Sequence, residues 1–389
     1  MKILHIITRL EAGGSSANTL ESAADQSKEH EVALVRGPHP AGLAAPAGLR
    51  IIEIPTLARE ISPLDDLRSF FALYRLISEM RPGIVHTHTS KAGMLGRWAA
   101  RLANLGAGRN KALIVHTPHG HVLYGYFGPF KAFCFQLLER LTARITDRFI
   151  ALTEGEKRES VAAGIGPAGK WTVIHSGVRF NAREHAAPRR PMGNGELVVA
   201  TIARLEPVKG VEYFIRAAAE LRKMRLPREP RFLIAGDGAL REELAALSAS
   251  LGLADILTFA GFQRDVFAFL AGADIYIQPS LNEAMGRTVI EAQYMGLPVV
   301  ASRVCGLPDA LLEGTTGLLV PPADPAALAA AAASLVRDDG LRRRLGDAAG
   351  QWVRKRDFTG HARFSAESMN ERLKTFYNGI LSGRTDGGA

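Results

Sequence analysis

Short apolar runs alternate with longer amphipathic stretches along the chain. The runs at 2–8, 31–36, 50–54, 84–87, 112–117, 148–152 and 171–175 read as strands. Between them, stretches such as 64–80 and 91–105 place apolar residues at helical spacing. Strands separated by helices predict βαβ units, a parallel sheet and right-handed crossovers. The rhythm breaks at about 177–195, where Pro188, Pro191, Gly193 and Gly195 sit among charges without apolar periodicity. That is the pattern of a linker. A second series follows, with strands expected at 197–203, 231–235, 256–260, 275–278, 298–301 and 317–320, then helix, including Ala-rich 325–335. The expected class is α/β, with two Rossmann-like doubly wound domains. The first covers 1–177, the linker 178–195 and the second 196–363. Ligands of open α/β sheets bind outside the carboxyl ends of the strands, so the cleft between two such domains is the expected site.

Composition agrees with two cores. The chain has 389 residues, and single cores stop growing at about 250–300. Hydrophobic residues at 47% and charged residues at 22% exclude a largely disordered chain, a coiled coil and a collagen-like fibre. No apolar run reaches the roughly 18–20 residues a membrane helix needs. The opening segment Met1 to Ile7 is too short for a signal-peptide core and reads as a first strand. The net charge of +9 and a pI of about 9.7 favour anionic partners: nucleotides, nucleic acid or an acidic membrane surface. Cys134 and Cys305 make no disulfide framework, and a reduced, cytoplasmic setting is expected. The tail at 383–389 is expected to lack structure.

Common nucleotide fingerprints fail. Gly236-Asp237-Gly238 lacks the third glycine of the dinucleotide motif, and no P-loop or nucleophile elbow occurs. Gly13 and Gly14 end the first strand-to-helix turn, where backbone N–H groups can approach an anion. His86 and His88, then His116, His119 and His121, follow two strands. No HExxH motif or neighbouring carboxylate accompanies them, so they signal no metal, and His86 and His116 read as hydrogen-bonded strand residues. His119, beside Gly120, is the most exposed and suits a polyol or phosphate. Arg204 ends the next strand, and Lys209 stands before the following helix. Two cations beside a helix N-terminus suit a diphosphate.

The segment from Pro279 to Ala292 contains Glu283 and Glu291 around Gly286, with a helix expected from about Arg287. Glu283 then lies in a loop and Glu291 one turn into the helix. A carboxylate can accept from two vicinal hydroxyls, so Glu291 suits a ribose and Glu283 a sugar. The N–H groups at Ala284, Met285 and Gly286 could hold phosphate oxygens. The bland alternative is two surface carboxylates.

Taken in order, Gly13-Gly14, the 86–93 stretch, Pro118-His119-Gly120-His121, Arg204 with Lys209-Gly210, Gly236-Asp237-Gly238 and Glu283 with Glu291 resemble the retaining family-4 glycosyltransferases of the GT-B fold. Segments 90–102 and 117–127 resemble the subgroup that builds bacterial capsular, exopolysaccharide or O-antigen chains. The resemblance implies transfer from a nucleotide-sugar donor, by default a UDP-sugar, to a glycan or lipid-linked acceptor, without cofactor or nucleic-acid partner. It implies that Arg204 and Lys209 hold the diphosphate, Glu291 the ribose and Glu283 the sugar. It places Gly13 and Gly14 near the phosphates or acceptor, and His119 near the reacting centre. It implies that a last helix, at about 364–381, returns to the first domain. Two positions depart from the family pattern: Ala284 where glycine is usual, and Arg179 where aspartate is usual. Ala284 raises the expectation of a locally different loop, because alanine resists positive φ.

Two alternatives remain. A GT-B sugar-nucleotide epimerase would share the fold, and a basic nucleic-acid-binding protein would share the charge, although no RRM, KH or zinc-finger signature occurs. Segment 129–148 mixes Phe130, Phe133, Phe135, Leu137 and Leu138 with Lys131, Arg140, Arg144 and Arg148. It reads either as a helix resting on an anionic inner membrane face or as a core-facing helix with solvated charges.

Overall fold

The structure is a computed structural model that describes residues 1–11, 13–38, 46, 48–120, 128–180 and 196–385, without the side chains of 383–385. His121, most of the expected linker and the last four residues lie outside the described residues. The chain divides into two compact units, Met1–Gly177 with Ser365–Ala389, and Val178–Phe364.

The first unit runs β1 (Lys2–Ile6), α1 (Gly14–Gln26), β2 (Glu31–Arg36), β3 (Arg50–Glu53), α2 (Pro63–Met80), β4 (Ile84–His88), α3 (Ser90–Leu105), β5 (Leu113–Thr117), α4 (Pro129–Arg144), β6 (Arg148–Ala151), α5 (Glu154–Ala162) and β7 (Trp171–Val173). Its seven strands are ordered β3-β2-β1-β4-β5-β6-β7, and every pair is parallel. Such strands are covered on both faces, which explains their nearly unbroken apolar runs. Local signals set the helix ends. α2 begins with Pro63 at its first position and Asp65 and Asp66 in its first turn, and it stops at left-handed Arg81.

The second unit runs β8 (Val198–Ile202), α6 (Val211–Lys223), β9 (Arg231–Ala235), α7 (Arg241–Ser250), β10 (Leu257–Gly261), α8 (Val266–Leu270), β11 (Ile275–Gln278), α9 (Arg287–Tyr294), β12 (Val299–Ser302), β13 (Gly317–Val320), α10 (Pro325–Arg337) and α11 (Asp339–Arg354). Its sheet is β10-β9-β8-β11-β12-β13, again parallel throughout. α10 and α11 are capped by Asp324 and Asp338, whose carboxylates accept from the Ala327 and Leu341 N–H groups.

The final helix, α12 (Ala366–Thr385), belongs to the first unit. Its Met369, Leu373 and Tyr377 join the core of β1, β2 and β4, and Gly177 lies close enough to Ala366 that a side chain there would collide. The helix extends to Thr385, so the expected unstructured tail starts too early at 383. In both sheets the strand order reverses beside the first strand: between β1 and β4, and between β8 and β11. These are the topological switch points where doubly wound sheets bind ligands.

Candidate functional site

In the first unit, a histidine cluster occupies the switch point. His5 on β1 pairs in register with His86 on β4, and His88 ends β4. His5, His86, His88 and His116 are buried. The His86 ring bonds the Tyr377 hydroxyl at 2.6 Å and the Thr117 hydroxyl at 2.8 Å. His116 bonds the Thr87 hydroxyl at 2.9 Å. A separate chain runs from the Gln26 carboxamide oxygen to His5 at 2.8 Å, on to His88 at 2.9 Å and on to His119 at 2.9 Å. Burial holds the His5 pKa down at about 4 and that of His119 at about 3, and keeps His86, His88 and His116 well below 6.5. The rings are therefore neutral at neutral pH.

His119 adopts φ +58, a costly conformation for a residue with a side chain. Glu156, buried on α5, helps hold that corner: its carboxylate accepts from the Gly120 N–H at 2.7 Å and the Leu152 N–H at 2.6 Å. His119 is partly open to solvent, yet its Nδ1 is covered and has no hydrogen-bond partner among the described residues. His5, His86 and His88 bring ring nitrogens within 4.8 Å of one another, but those nitrogens bond each other, Gln26, Tyr377, Thr117 and His119. Gly13 caps α1 in extended backbone, and no described residue lies within 4 Å of a Cβ placed there.

In the second unit, residues from both sides of the β8–β11 switch point meet. Lys209 Nζ donates to Glu283 at 2.6 Å, and both side chains are 16% exposed. Two backbone features hold this geometry. Gly210 has φ +62, and a Cβ there would overlap the Pro279 carbonyl. The Leu281 N–H donates to the Val208 carbonyl at 2.8 Å. A polar chain then orients Glu283: Gln278 donates to Ser280 at 2.7 Å, and Ser280 donates to Glu283 at 3.4 Å. The Arg204 loop lies against Gly236-Asp237-Gly238, where the Leu205 N–H donates to the Asp237 carbonyl at 2.9 Å. Arg204 is more open, 41% exposed, and paired with Glu206 at 3.1 Å. Arg204 therefore faces solvent, whereas the Gly210–Pro279 approach draws Lys209 onto Glu283.

Glu291 is the fifth residue of α9 and only 8% exposed. No hydrogen bond or ion pair reaches its carboxylate among the described residues. Burial raises its pKa, and Arg287, one turn before, pulls it partly back. The surface-carboxylate alternative fails for Glu291. Ala284 and Met285 are buried. The left-handed backbone falls on Gly286, with φ +78, and not on Ala284, so the expected strain at Ala284 does not arise.

Sequence reasoning passed over His5, Gln26, Glu156 and Arg287. Arg287 starts α9 and has a buried Nη1 without a partner among the described residues. One signal was available for His5: a polar residue inside an otherwise apolar strand.

Residues 13–177 match the family described as glycosyl transferase 4-like domain, and 183–352 match glycosyl transferases group 1. The UDP-Gal:alpha-D-GlcNAc-diphosphoundecaprenol alpha-1,3-galactosyltransferase of Escherichia coli is 32% identical over 269 residues, 66% of this chain and 67% of that protein. The D-inositol 3-phosphate glycosyltransferase of Corynebacterium efficiens is 38% identical over 198 residues, 49% of this chain and 45% of that protein, so the chain spans about half the length of that relative. Among solved structures, Anabaena HepE in complex with UDP and glucose aligns over 97% of this chain and 100% of that one, with a TM-score of 0.76 at 20% identity. With two parallel α/β units on the page, these matches show that the chain belongs to the family-4 glycosyltransferases of the GT-B fold.

Proposed function

We propose that this glycosyltransferase transfers a sugar from a UDP-sugar to a glycan or lipid-linked acceptor in bacterial surface-polysaccharide synthesis, with retention at the anomeric carbon and without a metal. One observation carries the reading: Glu291, a largely buried carboxylate that no hydrogen bond or ion pair reaches among the described residues, in the same unit as the Lys209–Glu283 pair. An unpaired buried charge is costly, so its retention points to a ligand that satisfies it. The activities of the Escherichia coli and Corynebacterium relatives support the class of reaction. The UDP bound to HepE supports the choice of nucleotide.

The roles follow from chemistry. Glu291 accepts from the two ribose hydroxyls, and Glu283 accepts from the sugar. Arg204, Lys209 and the backbone around Ala284, Met285 and Gly286 hold the diphosphate, and Gly13 and Gly14 leave room for phosphates or acceptor. His119 contacts the donor sugar. As the glycosidic bond breaks, an oxocarbenium-like centre forms and negative charge grows on the departing diphosphate. Fixed cations stabilise that charge most in the transition state. The sequence contains no Asp-x-Asp triplet to bridge a metal to the diphosphate. Transfer assays with a UDP-sugar panel test the reading. Activity is expected to survive EDTA, and the product is expected to keep the donor's anomeric configuration. Loss in EDTA restored by manganese overturns the metal-free step, and an inverted product overturns retention.

Glu291→Gln separates stability from function. A raised carboxylate pKa means that this group's contribution to stability declines as pH rises from the unfolded value through the folded one. The neutral amide removes that penalty, so the variant is expected to melt at a higher temperature than the wild type at pH 7. Its donor affinity is expected to drop at least about 10-fold, because the amide accepts fewer hydroxyl hydrogen bonds. Thermal melts and donor titrations check both signs.

We further propose that α4 rests on an anionic membrane face from the cytoplasmic side. Phe130, Phe133, Leu137 and Leu141 recur at helical spacing along this helix, and Phe130 is 78% exposed and Phe133 58%. Lys131, Arg140 and Arg144 lie along the same helix. Its inward side carries Thr142, Ala143 and the Glu139 pair with fully buried Arg97 at 2.7 Å. No described helix is long and apolar enough to cross a membrane. Each basic residue near an anionic leaflet adds about 1 kcal/mol of attraction. Preferential sedimentation with anionic over neutral vesicles is expected, and equal recovery from the two removes the idea.

A further inference from the structure

The ring nitrogens of the Gln26–His5–His88–His119 chain permit one proton arrangement when every ring is neutral. The Gln26 carboxamide oxygen accepts, so His5 Nε2 carries a hydrogen. His5 Nδ1 is then bare and accepts from His88 Nε2–H. His88 Nδ1 is bare in turn and accepts from His119 Nε2–H. His119 Nδ1 is left as a lone-pair acceptor, and it has no partner among the described residues, as is also true of the Gln26 amide nitrogen at the other end of the chain.

We propose that Gln26, His5 and His88 form a tautomer relay that fixes His119 with Nδ1 as a bare acceptor for a donor-sugar hydroxyl. The relay rests on the proposed contact between His119 and the donor. His5 and His88 act as positioning residues, since they reach the substrate only through His119. The site conditions suit the task. The rings are buried and neutral, so no solvent proton scrambles the arrangement. His86 lies against His88, with ring centroids 4.2 Å apart, and is itself held by Tyr377 and Thr117. Glu156 and the strained His119 backbone fix the final ring in place. A wrong tautomer would set an N–H against a hydroxyl that must donate, and buried mismatches of this kind are costly.

The test reverses the relay from its far end. Gln26→Glu places a carboxylate beside His5 and favours its doubly protonated form. His5 Nδ1–H then donates to His88 Nε2, His88 Nδ1–H donates to His119 Nε2, and His119 is driven to carry its hydrogen on Nδ1. Gln26→Met removes the acceptor and is expected to leave a mixture of tautomers at His119. Nitrogen-15 spectra of the ring nitrogens, assigned with a His119→Gln variant, read the tautomers directly. The wild type is expected to show His119 protonated on Nε2 alone, and Gln26→Glu to show it on Nδ1. Gln26→Glu is also expected to raise donor KM at least about 10-fold with little change in kcat.

A wild-type His119 protonated on Nδ1 overturns the relay. So does a His119 tautomer that ignores both Gln26 substitutions in folded protein. If the tautomer reverses while donor KM stays at the wild-type value, the relay stands, and the donor contact assigned to His119 is the part that falls.

Discussion

Acidification from about pH 7 to about pH 5.5 is expected to destabilise the first unit more than the second. Five histidines of the first unit, His5, His86, His88, His116 and His119, have depressed folded-state pKa values because burial disfavours their charged forms. A histidine of this kind contributes stability that is full above the unfolded value of 6.5 and is lost as pH falls towards its folded value. All five shifts have the same sign, so their losses act together as the pH falls through the unfolded value. In the second unit, the raised pKa of Glu291 acts with the opposite sign. Hydrogen exchange read by peptide at the two pH values separates the units. Loss of protection is expected first in strands β1, β4 and β5. Equal loss in both units, or none in the first, contradicts the account of the cluster.

Much of the architecture was legible because parallel strands buried on both faces read as apolar runs. The bounds at 31–36, 231–235, 275–278 and 317–320 coincide with β2, β9, β11 and β13. The start of α9 at Arg287 was legible from Gly286, whose left-handed backbone ends the preceding loop. Residue types at strand ends pointed to Arg204, Lys209, Glu283, Glu291 and His119, since loops at carboxyl ends of strands present their side chains to ligands.

Contacts made by topology were not legible. Lys209 and Glu283 are 74 residues apart and meet because β8 and β11 are neighbours at the sheet's reversal. His5 and His88 are 83 residues apart and meet for the same reason at β1 and β4. Gln26, at the end of α1, has no local pattern that ties it to a strand histidine. Glu156 reads as one more charge on a short polar helix, yet its carboxylate holds the His119 corner. The outward direction of Phe130 and Phe133 was open in the sequence, because helical spacing does not say which face meets the core.

Lys209→Ala is expected to cut kcat/KM by about 100-fold in a protein that remains folded. A charge-assisted hydrogen bond contributes roughly 1.5–3 kcal/mol, and the variant loses more than one favourable interaction. It removes the cation proposed to hold the diphosphate. It also strips Glu283 of its cationic partner at 2.6 Å, leaving a carboxylate with only the Ser280 hydroxyl at 3.4 Å beside the proposed anionic ligand. Glu283→Gln in the Lys209→Ala background relieves that repulsion, so the double variant is expected to lose less than the two single losses added together. Arg204→Lys is also expected to be costly, because a point charge does not replace a guanidinium fork.

Steady-state kinetics of Lys209→Ala against donor concentration, with circular dichroism to confirm folding, tests the central claim that this residue binds the donor's diphosphate and steadies it as it leaves. The account predicts that kcat falls together with kcat/KM, because the cation acts most strongly on charge that develops in the transition state. A folded variant with wild-type kcat contradicts the leaving-group role, and one with wild-type kcat/KM contradicts the assignment of the site itself.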